Sequence, residues 1–423
     1  MSRIAIIGTG YVGLTTGAYL SHLGHEVVCA DVMPDKVAML NRGEIPIYEA
    51  GLDELVRAGL DGGRLSFVLG AANAVEGAEF VFLCVQTPQG EDGSADLTYI
   101  QDAAAEIAPV LEAESVVINK STVPVGSTRV VERALGRSDV FVVSNPEFLR
   151  EGSAVHDCLH PDRIVIGSDD SAAAARVAGL FDQLQAPLIV TDPASAETIK
   201  YASNAFLATK ISFVNAIANV CEAVGADVRE VVLGMGYDKR IGFEFLKPGP
   251  GWGGSCFPKD SRALVRIAED AGYDFGLLKG VITVNTEQYE RVATKIEQAA
   301  GGSLGGVTVA VWGLTFKART NDLRDSPALE VIGRLRQRGA NAIKAYDPTV
   351  TGDIDGVEVC ADAYAACEGA TVLAVLTEWD DFRWLDFDKV KGLMAVPNVV
   401  DARNLLDPAA LRRRGFFYVG VGR

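Results

Sequence analysis

The chain has 423 residues, of which 48% are hydrophobic and 22% charged, which argues against a disordered polypeptide and predicts two or three domains. Its 39 basic and 56 acidic residues give a net charge of −17, which argues against nonspecific binding to nucleic acid or to an anionic membrane. No uninterrupted apolar run reaches the length of a membrane span. The seven cysteines lack paired spacing, so we predict no metal site and a reducing, cytoplasmic setting.

The chain begins with the pattern of a parallel α/β domain, in which short apolar segments alternate with helical patterns. These segments are continuously apolar rather than alternating, which is typical of strands in a parallel sheet that helices cover on both faces. A doubly wound, Rossmann-like fold is therefore expected. The predicted strands lie at 3–7, 26–31, 79–85, 115–121 and 140–146.

From about residue 195 the pattern is helical, with about thirty residues that lack proline and are apolar almost all round. This segment predicts one long buried helix, of the kind that also forms subunit interfaces. The glycine-rich segment at 301–306 marks a linker, after which the α/β pattern returns. We therefore predict two doubly wound domains, at 1–194 and 301–423, joined by a helical region at 195–300. The later strands are predicted at 307–314, 342–348, 371–377 and 398–404.

The first strand is followed by the sequence GTGYVG, which opens a helix. Gly8 permits a tight turn, Gly10 lets the backbone approach a pyrophosphate, and Gly13 lets the helix pack closely against the strand. The start of that helix would then hold the pyrophosphate. Asp31 ends the second strand, where a carboxylate accepts a hydrogen bond from the adenosine ribose and repels a 2′-phosphate, so we predict NAD rather than NADP. Lys36 is a candidate contact on the adenosine side, with a solvated helix residue as the alternative.

Cys256 follows a glycine-rich run and precedes Lys259 and Asp260. Most free cysteines are buried small hydrophobes, but this loop exposes backbone and thiol together. NAD beside a nucleophilic thiol suggests oxidation of an aldehyde through a thiohemiacetal and a thioester. Because water must then cleave the thioester, a general base and an oxyanion-stabilising group are also expected.

Two pairs of residues four apart supply candidates for those groups. Lys200 and Asn204 lie one turn apart on the long helix and could both donate to an oxyanion, the alternative being pairing within a helical core. Glu147 and Glu151 follow the carboxyl end of a predicted strand, where doubly wound folds keep their sites. The alternative for the two glutamates is a solvated helix start.

Six motifs, in order along essentially the whole chain, resemble those of the UDP-glucose/GDP-mannose dehydrogenase family. They are GTGYVGL, KSTVPVGST, NPEFLREGSAVHD, KYASNAF, GWGGSCFPKD and GLTFKARTNDLRDSPA. The resemblance implies oxidation of C6 of a nucleotide sugar from alcohol to acid, with reduction of two NAD⁺ and without release of the aldehyde. It implies UDP-glucose as the substrate, since the segment FLKPGPG favours the uridine branch, with GDP-mannose or another nucleotide sugar as the alternative.

The resemblance also implies roles for the matched residues. Cys256 would be the nucleophile, with Lys200 and Asn204 stabilising the oxyanion. Asp260, with Thr122 and a water, would handle the proton of the first oxidation, and Glu147 would assist hydrolysis of the thioester. The implied cofactor contacts are Gly8, Gly10, Tyr11, Val12, Gly13, Asp31, Lys36, Thr87, Thr122, Glu151 and Arg324. The implied substrate contacts are Glu147, Phe148, Leu149, Glu151, Lys200, Asn204, Arg240, Phe245, Leu246, Lys247, Gly253, Phe316, Lys317 and Arg403.

At the level of domains, the resemblance implies NAD binding by residues 1–194, dimerisation and part of the active site at 195–300, and UDP-sugar binding by 301–423. A homodimer is expected, with Arg240 reaching the site of the neighbouring subunit. Two other classes share some of these features. The β-hydroxyacid dehydrogenases have the glycine loop and a Lys-x-x-x-Asn helix but need no cysteine, and a non-catalytic sensor would have lost Cys256 or Lys200.

Overall fold

The computed structural model describes residues 1–88, 90 and 95–423. The strands are β1 Arg3–Ile7, β2 Glu26–Asp31, β3 Leu65–Leu69, β4 Phe80–Leu83, β5 Val116–Asn119, β6 Phe141–Ser144, β7 Ile164–Gly167, β8 Leu188–Thr191, β9 Thr308–Trp312, β10 Ala342–Tyr346, β11 Glu358–Val359, β12 Val372–Val375, β13 Asn398–Asp401 and β14 Phe417–Val419. The helices are α1 Tyr11–His22, α2 Pro34–Asn41, α3 Leu52–Asp61, α4 Ala71–Ala74, α5 Thr98–Ile107, α6 Ser127–Leu135, α7 Ala154–Leu159, α8 Ser171–Gly179, α9 Pro193–Val224, α10 Val228–Gly236, α11 Phe257–Asp270, α12 Gly276–Ala299, α13 Pro327–Gln337, α14 Ala363–Cys367, α15 Phe387–Leu393 and α16 Pro408–Arg413, with a short 3-10 helix at Asp380–Trp384.

The described chain divides into two compact units. Unit 1 comprises Met1–Ser203 and Arg262–Ala271, and unit 2 comprises Asn204–Ser261 and Gly272–Arg423. Two of the three boundaries between the units fall within helices, α9 and α11, so each of these helices contributes residues to both units. The predicted linker at 301–306 lies within unit 2, between α12 and β9.

Unit 1 is built on an eight-stranded sheet in the order β3-β2-β1-β4-β5-β6-β7-β8. Its first six strands are parallel, and β7 runs antiparallel to β6. Ile4 and Ile6 belong to one hydrophobic core and Ala5 and Ile7 to another, because successive side chains of β1 point to opposite faces of the sheet. Helices therefore cover both faces, and the doubly wound fold predicted from the continuously apolar strands is confirmed.

Unit 2 contains a six-stranded, fully parallel sheet in the order β11-β10-β9-β12-β13-β14. This order repeats that of the first six strands of unit 1, with β9 in the place of β1. Val309 and Val311 pack into one core, and Ala310 and Trp312 into the other. The second Rossmann-like sheet is therefore also confirmed.

The long helix α9 differs from its prediction in burial. Only 33% of its most apolar 18-residue window is buried within the chain, although we predicted a buried helix. The side chains of Phe206, Phe213, Val220 and Val224 are 50–71% exposed. By length and composition α9 is also the one helix of the described residues that could cross a membrane, a test that core and interface helices pass as well.

Candidate active site

The glycine loop between β1 and α1 has the shape that a dinucleotide requires. Gly8 has a φ of +96°, and a Cβ there would lie 2.7 Å from the carbonyl oxygen of Cys84. A Cβ on Gly13 would lie 1.9 Å from the carbonyl oxygen of Gly8, whereas a Cβ on Gly10 would meet nothing within 4 Å. Gly10 also begins α1 without a side-chain cap, so the first N–H groups of the helix face this open space. These residues fit the pyrophosphate of NAD.

Asp31 presents a negative charge at the end of β2. Its Oδ2 accepts hydrogen bonds from the backbone N–H of Thr9 at 3.2 Å and from the Lys36 Nζ at 2.8 Å. Burial acts to raise the pKa of Asp31, but the hydrogen bonds from Lys36 and Thr9 outweigh burial and leave that pKa lowered. The carboxylate therefore stays ionised, as recognition of a ribose and rejection of a 2′-phosphate require, and Lys36 pairs with Asp31 itself.

Replacing Asp31 with alanine is expected to weaken NAD⁺ binding about 10- to 100-fold, because a hydrogen bond to a charged group is lost. The binding of NADP⁺ should be weakened less, so the ratio of the two affinities, which favours NAD⁺, should become smaller. Isothermal titration calorimetry with both cofactors measures the two dissociation constants. Asp35→Ala, in the exposed first turn of α2, is the matched control. An unchanged dissociation constant for NAD⁺ in the Asp31 variant would contradict this assignment.

Two further cofactor candidates lie together at the carboxyl ends of adjacent strands. The Thr87 hydroxyl, beyond β4, donates to the carbonyl oxygen of Thr122, beyond β5, at 2.9 Å. Glu197 of α9 holds the end of the same segment, since its carboxylate accepts from the N–H groups of Gly126 at 2.6 Å and Thr128 at 2.9 Å. The sequence did not indicate Glu197, because its partners, two backbone N–H groups and the Thr128 hydroxyl, are about seventy residues away.

Glu147 and Lys200 form a buried ion pair. The Lys200 Nζ donates to Oε1 of Glu147 at 2.7 Å, and the Leu149 N–H donates to Oε2 at 2.7 Å. Burial acts to raise the pKa of Glu147, but the charge and hydrogen bond of Lys200, together with the Leu149 N–H and the charge of Lys120, outweigh burial and leave that pKa lowered. A second buried cation, Lys120, donates to Oδ1 of Asn145 at 3.0 Å. Sequence reasoning had placed Lys200 beside an oxyanion and had not paired it with Glu147.

Glu147, Phe148 and Leu149 line a cavity of about 120 Å³, which has room for water beside the Glu147 carboxylate. The guanidinium of Arg163 stacks 3.7 Å from the centre of the Phe148 ring, and the Lys200 Nζ lies 5.5 Å from it. Lys120 lines the same cavity, where burial lowers the pKa of its ammonium group. A carboxylate, two cations and space for water are thus assembled within unit 1.

Cys256 lies immediately before α11, and the first turn closes with a hydrogen bond from the Asp260 N–H to its carbonyl oxygen at 2.8 Å. The thiol is half-buried, whereas burial raises the pKa values of Cys84, Cys158 and Cys367 to about 12. The start of a helix favours negative charge beside it. Cys256 is therefore better placed for nucleophilic chemistry than those three buried thiols.

The side chain of Asp260 is fully buried and has two partners. The Asn204 Nδ2 donates to its Oδ2 at 2.7 Å, and the Lys259 Nζ lies 2.6 Å from its Oδ1. Asn204 and Asp260 were each predicted as catalytic residues, and the structure brings them together. Lys259 was noted in the sequence only as a neighbour of Cys256, and its ion pair with Asp260 was not predicted.

The glycines before Cys256 allow close packing against the segment that follows β9. A Cβ on Gly253 would lie 1.8 Å from the carbonyl oxygen of Asp325, and one on Gly254 would lie 2.8 Å from the ring of Phe316. The Gly254 N–H donates to the carbonyl oxygen of Arg324 at 3.1 Å. Phe316, predicted as a substrate contact, thus lies against the loop that carries the thiol.

The guanidinium of Arg403 fixes the same segment, since it donates to the carbonyl oxygens of Phe316 at 3.0 Å and Leu376 at 2.8 Å. The Lys317 Nζ lies 5.3 Å from the centre of the Phe316 ring. Arg324 binds the carboxylate of Asp322, with Nη2 2.7 Å from Oδ2. The cofactor role of Arg324 and the substrate roles of the other three stay predictions.

The remaining predicted substrate contacts lie before the thiol loop. Phe245 has a φ of +61° and packs against Phe257, with ring centres 6.3 Å apart. Leu246 is buried and Lys247 is exposed. Arg240 is exposed and pairs with Asp238 at 2.6 Å.

Asp347, just after β10, occupies the position in unit 2 that Asp31 occupies in unit 1. Oδ2 of Asp347 accepts from the N–H groups of Leu314 and Thr315, from the Thr315 hydroxyl and from the indole of Trp379, at 2.8–3.1 Å. Its side chain is buried, and a Cβ on Gly313 would lie 2.3 Å from Thr377. Oδ1 of Asp347 accepts from the N–H and the hydroxyl of Thr349, so both oxygens of this carboxylate are bound within the fold rather than open to a ribose.

No group of three or more metal-binding side chains is found among the residues that the structure describes. The glycine loop with its ionised Asp31, on a doubly wound sheet, defines an NAD-dependent oxidoreductase. The sequence matches all three domain models of one family: the NAD binding domain at residues 2–185, the central domain at 194–287 and the UDP binding domain at 310–408. The chain belongs to the UDP-glucose/GDP-mannose dehydrogenase family.

Individual relatives resemble the chain over its whole length. It is 46% identical to the UDP-glucose 6-dehydrogenase TuaD of Bacillus subtilis, with 100% of this chain and 94% of the relative aligned. It is also 46% identical to a UDP-glucose 6-dehydrogenase of Rhizobium meliloti, covering 100% and 99% of the two chains. The solved structure of a UDP-glucose dehydrogenase from Pyrobaculum islandicum superimposes with a TM-score of 0.92 at 38% identity, covering 100% and 98%.

Proposed function

We propose that the chain oxidises UDP-glucose at C6 to UDP-glucuronate, transferring four electrons to two NAD⁺. The observation that carries the proposal is the half-buried thiol of Cys256 at the start of α11, with the Asn204–Asp260 pair one turn further on. Full-length relatives that are 46% identical and bear the name UDP-glucose 6-dehydrogenase supply the substrate. GDP-mannose is the alternative, since the family includes both activities.

In the first oxidation, C6 of the sugar loses a hydride and its hydroxyl loses a proton, leaving an aldehyde. NAD⁺, when bound, supplies the hydride acceptor for each oxidation. Asp260 takes up the proton through a water that Thr122 also holds, and the Asp260 carboxylate is fixed in place by its ion pair with Lys259. Lys200 and Asn204 donate to the oxygen on C6 as negative charge develops there.

In the second oxidation, the Cys256 thiolate adds to the aldehyde carbon, forming a thiohemiacetal whose C6 loses the second hydride. A thioester remains, and water attacks its carbonyl carbon to release the carboxylate and the thiol. Glu147 accepts the proton of that water. The ion pair with Lys200 supports this role, because it keeps the Glu147 carboxylate ionised in a buried place where it would otherwise become neutral.

The proposed substrate site uses the thiol loop and the segments of unit 2 that pack against it. Phe245, Leu246, Lys247 and Gly253 would line the uridine and diphosphate pocket, together with Phe316, Lys317 and Arg403. The positive charges of Lys247, Lys317 and Arg403 would attract the diphosphate although the whole chain has a net charge of −17. Residues 1–194, 195–300 and 301–423 would serve as NAD-binding, dimerisation and UDP-sugar-binding domains respectively.

The chain would act as a homodimer in the cytoplasm. The exposed apolar side chains of α9, among them Phe206 and Phe213, support a subunit interface because such a row is costly to leave in water. Arg240 would then reach the substrate of the neighbouring subunit. The cysteines form no disulfide in the part of the chain that the structure describes, which supports a reducing compartment.

The reaction is tested by supplying purified protein with NAD⁺ and, separately, UDP-glucose, GDP-mannose and UDP-N-acetyl sugars. UDP-glucose should be the best substrate, and two NADH should form for each sugar consumed. Absorbance at the NADH band and chromatography of the nucleotide sugars measure the ratio. One NADH per sugar would contradict the four-electron reaction, and a preference for GDP-mannose would favour the alternative substrate.

A further inference from the structure

Glu49 is a buried carboxylate in the loop between α2 and α3, to which neither the glycine loop nor the proposed chemistry assigns a role. Its side chain accepts three hydrogen bonds from residues distant in the sequence. The Tyr11 hydroxyl and the Gly152 N–H, at 2.6 Å, donate to Oε2, and the Ala154 N–H donates to Oε1 at 2.7 Å. All four residues belong to unit 1.

The two ends of this connection are both parts of the proposed site. Tyr11 is the first residue of α1 and directly follows Gly10, where the loop opens for the pyrophosphate. Gly152 directly follows Glu151, and Ala154 is the first residue of α7, so both lie just after the segment that begins with the catalytic candidate Glu147. Glu49 is thus bonded to the cofactor loop on one side and to the carboxylate-bearing segment on the other.

The chemical nature of these contacts indicates that the hydrogen bonds to Glu49 are maintained at all times. Burial and the Glu49 carboxylate raise the pKa of Tyr11, so its phenol stays protonated and always donates. The side chain of Ser153, the N-cap residue of α7, accepts no hydrogen bond from the first N–H groups of that helix, and Glu49 accepts from one of them, the N–H of Ala154, instead. Hydrogen bonds to a carboxylate are about twice as strong as those between neutral groups.

We propose that Glu49 is a positioning residue that couples the cofactor loop to the segment bearing Glu147 and Glu151. Through Tyr11 it fixes the start of α1 for NAD⁺, and through Gly152 and Ala154 it fixes the segment in which the hydrolytic carboxylate lies. The part that concerns the cofactor needs only the NAD site. The part that concerns Glu147 rests on the proposed function.

The test combines Glu49→Gln with Tyr11→Phe in a double-mutant cycle on the full chain. Glutamine keeps the shape of the side chain but places an amide N–H against donors, and phenylalanine removes only the hydroxyl. Calorimetric titration with NAD⁺ alone, without sugar, should give a dissociation constant raised about tenfold by Glu49→Gln and several-fold by Tyr11→Phe. The double variant should bind no more weakly than Glu49→Gln, since both changes break one connection.

Controls separate positioning from general stability. Glu54→Gln, at an exposed position of α3, and Tyr48→Phe, on a half-exposed ring, should leave NAD⁺ affinity unchanged. Wild-type affinity in a folded Glu49→Gln variant, or effects that multiply in the double variant, would overturn the proposal. If Glu49→Gln does not fold, Tyr11→Phe decides alone, and an unchanged dissociation constant in that variant would overturn it equally.

A second readout addresses the other end of the connection. When UDP-glucose is a substrate, Glu49→Gln should lower kcat at saturating NAD⁺ as well as raise KM for NAD⁺, whereas Tyr11→Phe should chiefly raise KM. Equal kcat values in Glu49→Gln and the wild type would contradict the proposal that Glu49 positions Glu147. They would not affect the proposal that Glu49 positions the cofactor loop. Because calorimetry uses NAD⁺ alone, failure of the proposed substrate does not affect the first test.

Discussion

Replacing Cys256 with alanine is expected to lower conversion of UDP-glucose to the acid at least about a thousandfold, because no thiohemiacetal can form without the thiol. NAD⁺ affinity should stay within about twofold of wild type, since the glycine loop and Asp31 are unaltered. The side chain is half-buried, and the change to alanine removes only its sulfur atom, so stability should change little. NADH formation, product chromatography and calorimetry measure the three quantities.

Cys360→Ala is the matched control, because Cys360 is also a partly exposed thiol and burial raises its pKa. It should turn over like the wild type. Mass spectrometry of Cys256→Ser mixed with substrate and NAD⁺ adds a positive observation, since a serine ester would hydrolyse slowly enough to detect. Full acid production by Cys256→Ala would eliminate the covalent mechanism while leaving NAD-dependent oxidation intact.

Replacing Lys200 with methionine is expected to abolish turnover and to lower the free energy of unfolding by about 3–5 kcal/mol at pH 7, since it leaves the Glu147 carboxylate buried without its partner. Lys120 is a second cation acting on Glu147 and should hold the loss toward the lower end of that range. The double variant Lys200→Met with Glu147→Gln should recover most of the stability and none of the turnover. Urea unfolding and NADH formation measure the two properties separately.

The pH dependence of this pair has a definite sign. In the wild type the folded-state pKa of Glu147 is lowered, so the pair stabilises the fold above the unfolded-state pKa of about 4.3, and that stability is lost as pH falls through the folded-state pKa. In Lys200→Met burial should raise the pKa of Glu147, and the destabilisation should shrink as pH falls from 7 to 5. Lys279→Met, which breaks an exposed pair with Asp274, should cost less than about 1 kcal/mol at either pH. A pH-independent loss in Lys200→Met would contradict the ion-pair account.

The parts of the fold that the sequence predicted are those with a local periodic signal. The continuous apolar strands β1, β2 and β9 and the glycine loop were placed within a residue or two. By contrast β7 and β8 were not predicted: β7 runs antiparallel to its neighbour β6, and β8 has exposed side chains at the sheet edge. Their pairing depends on the rest of the sheet rather than on their own pattern.

The residues of the candidate site also fall into those that local sequence identified and those that it missed. Cys256, Lys200 and Asp260 were identified because each lies in a short motif in which the neighbouring residues indicate the chemical role. Glu49 and Asp347 were missed because they bind backbone groups and side chains at sequence distances that no local spacing reveals. The helix period correctly placed Lys200 and Asn204 on one face, but tertiary packing decided that each would meet a different carboxylate.

The hydrogen-bonded carboxylate of Asp347 has a consequence for the proposed transfer of four electrons from one sugar. Of the two Rossmann-like sheets in the described chain, only the first has an open space at the loop after its first strand. In the second sheet the corresponding acid, Asp347, accepts hydrogen bonds from neighbouring backbone and side-chain groups. The described chain then has a single binding site for a dinucleotide. Under the proposed reaction, the first NADH must depart and a fresh NAD⁺ must arrive midway through every turnover. During that exchange the covalent bond to Cys256 would retain the half-oxidised sugar.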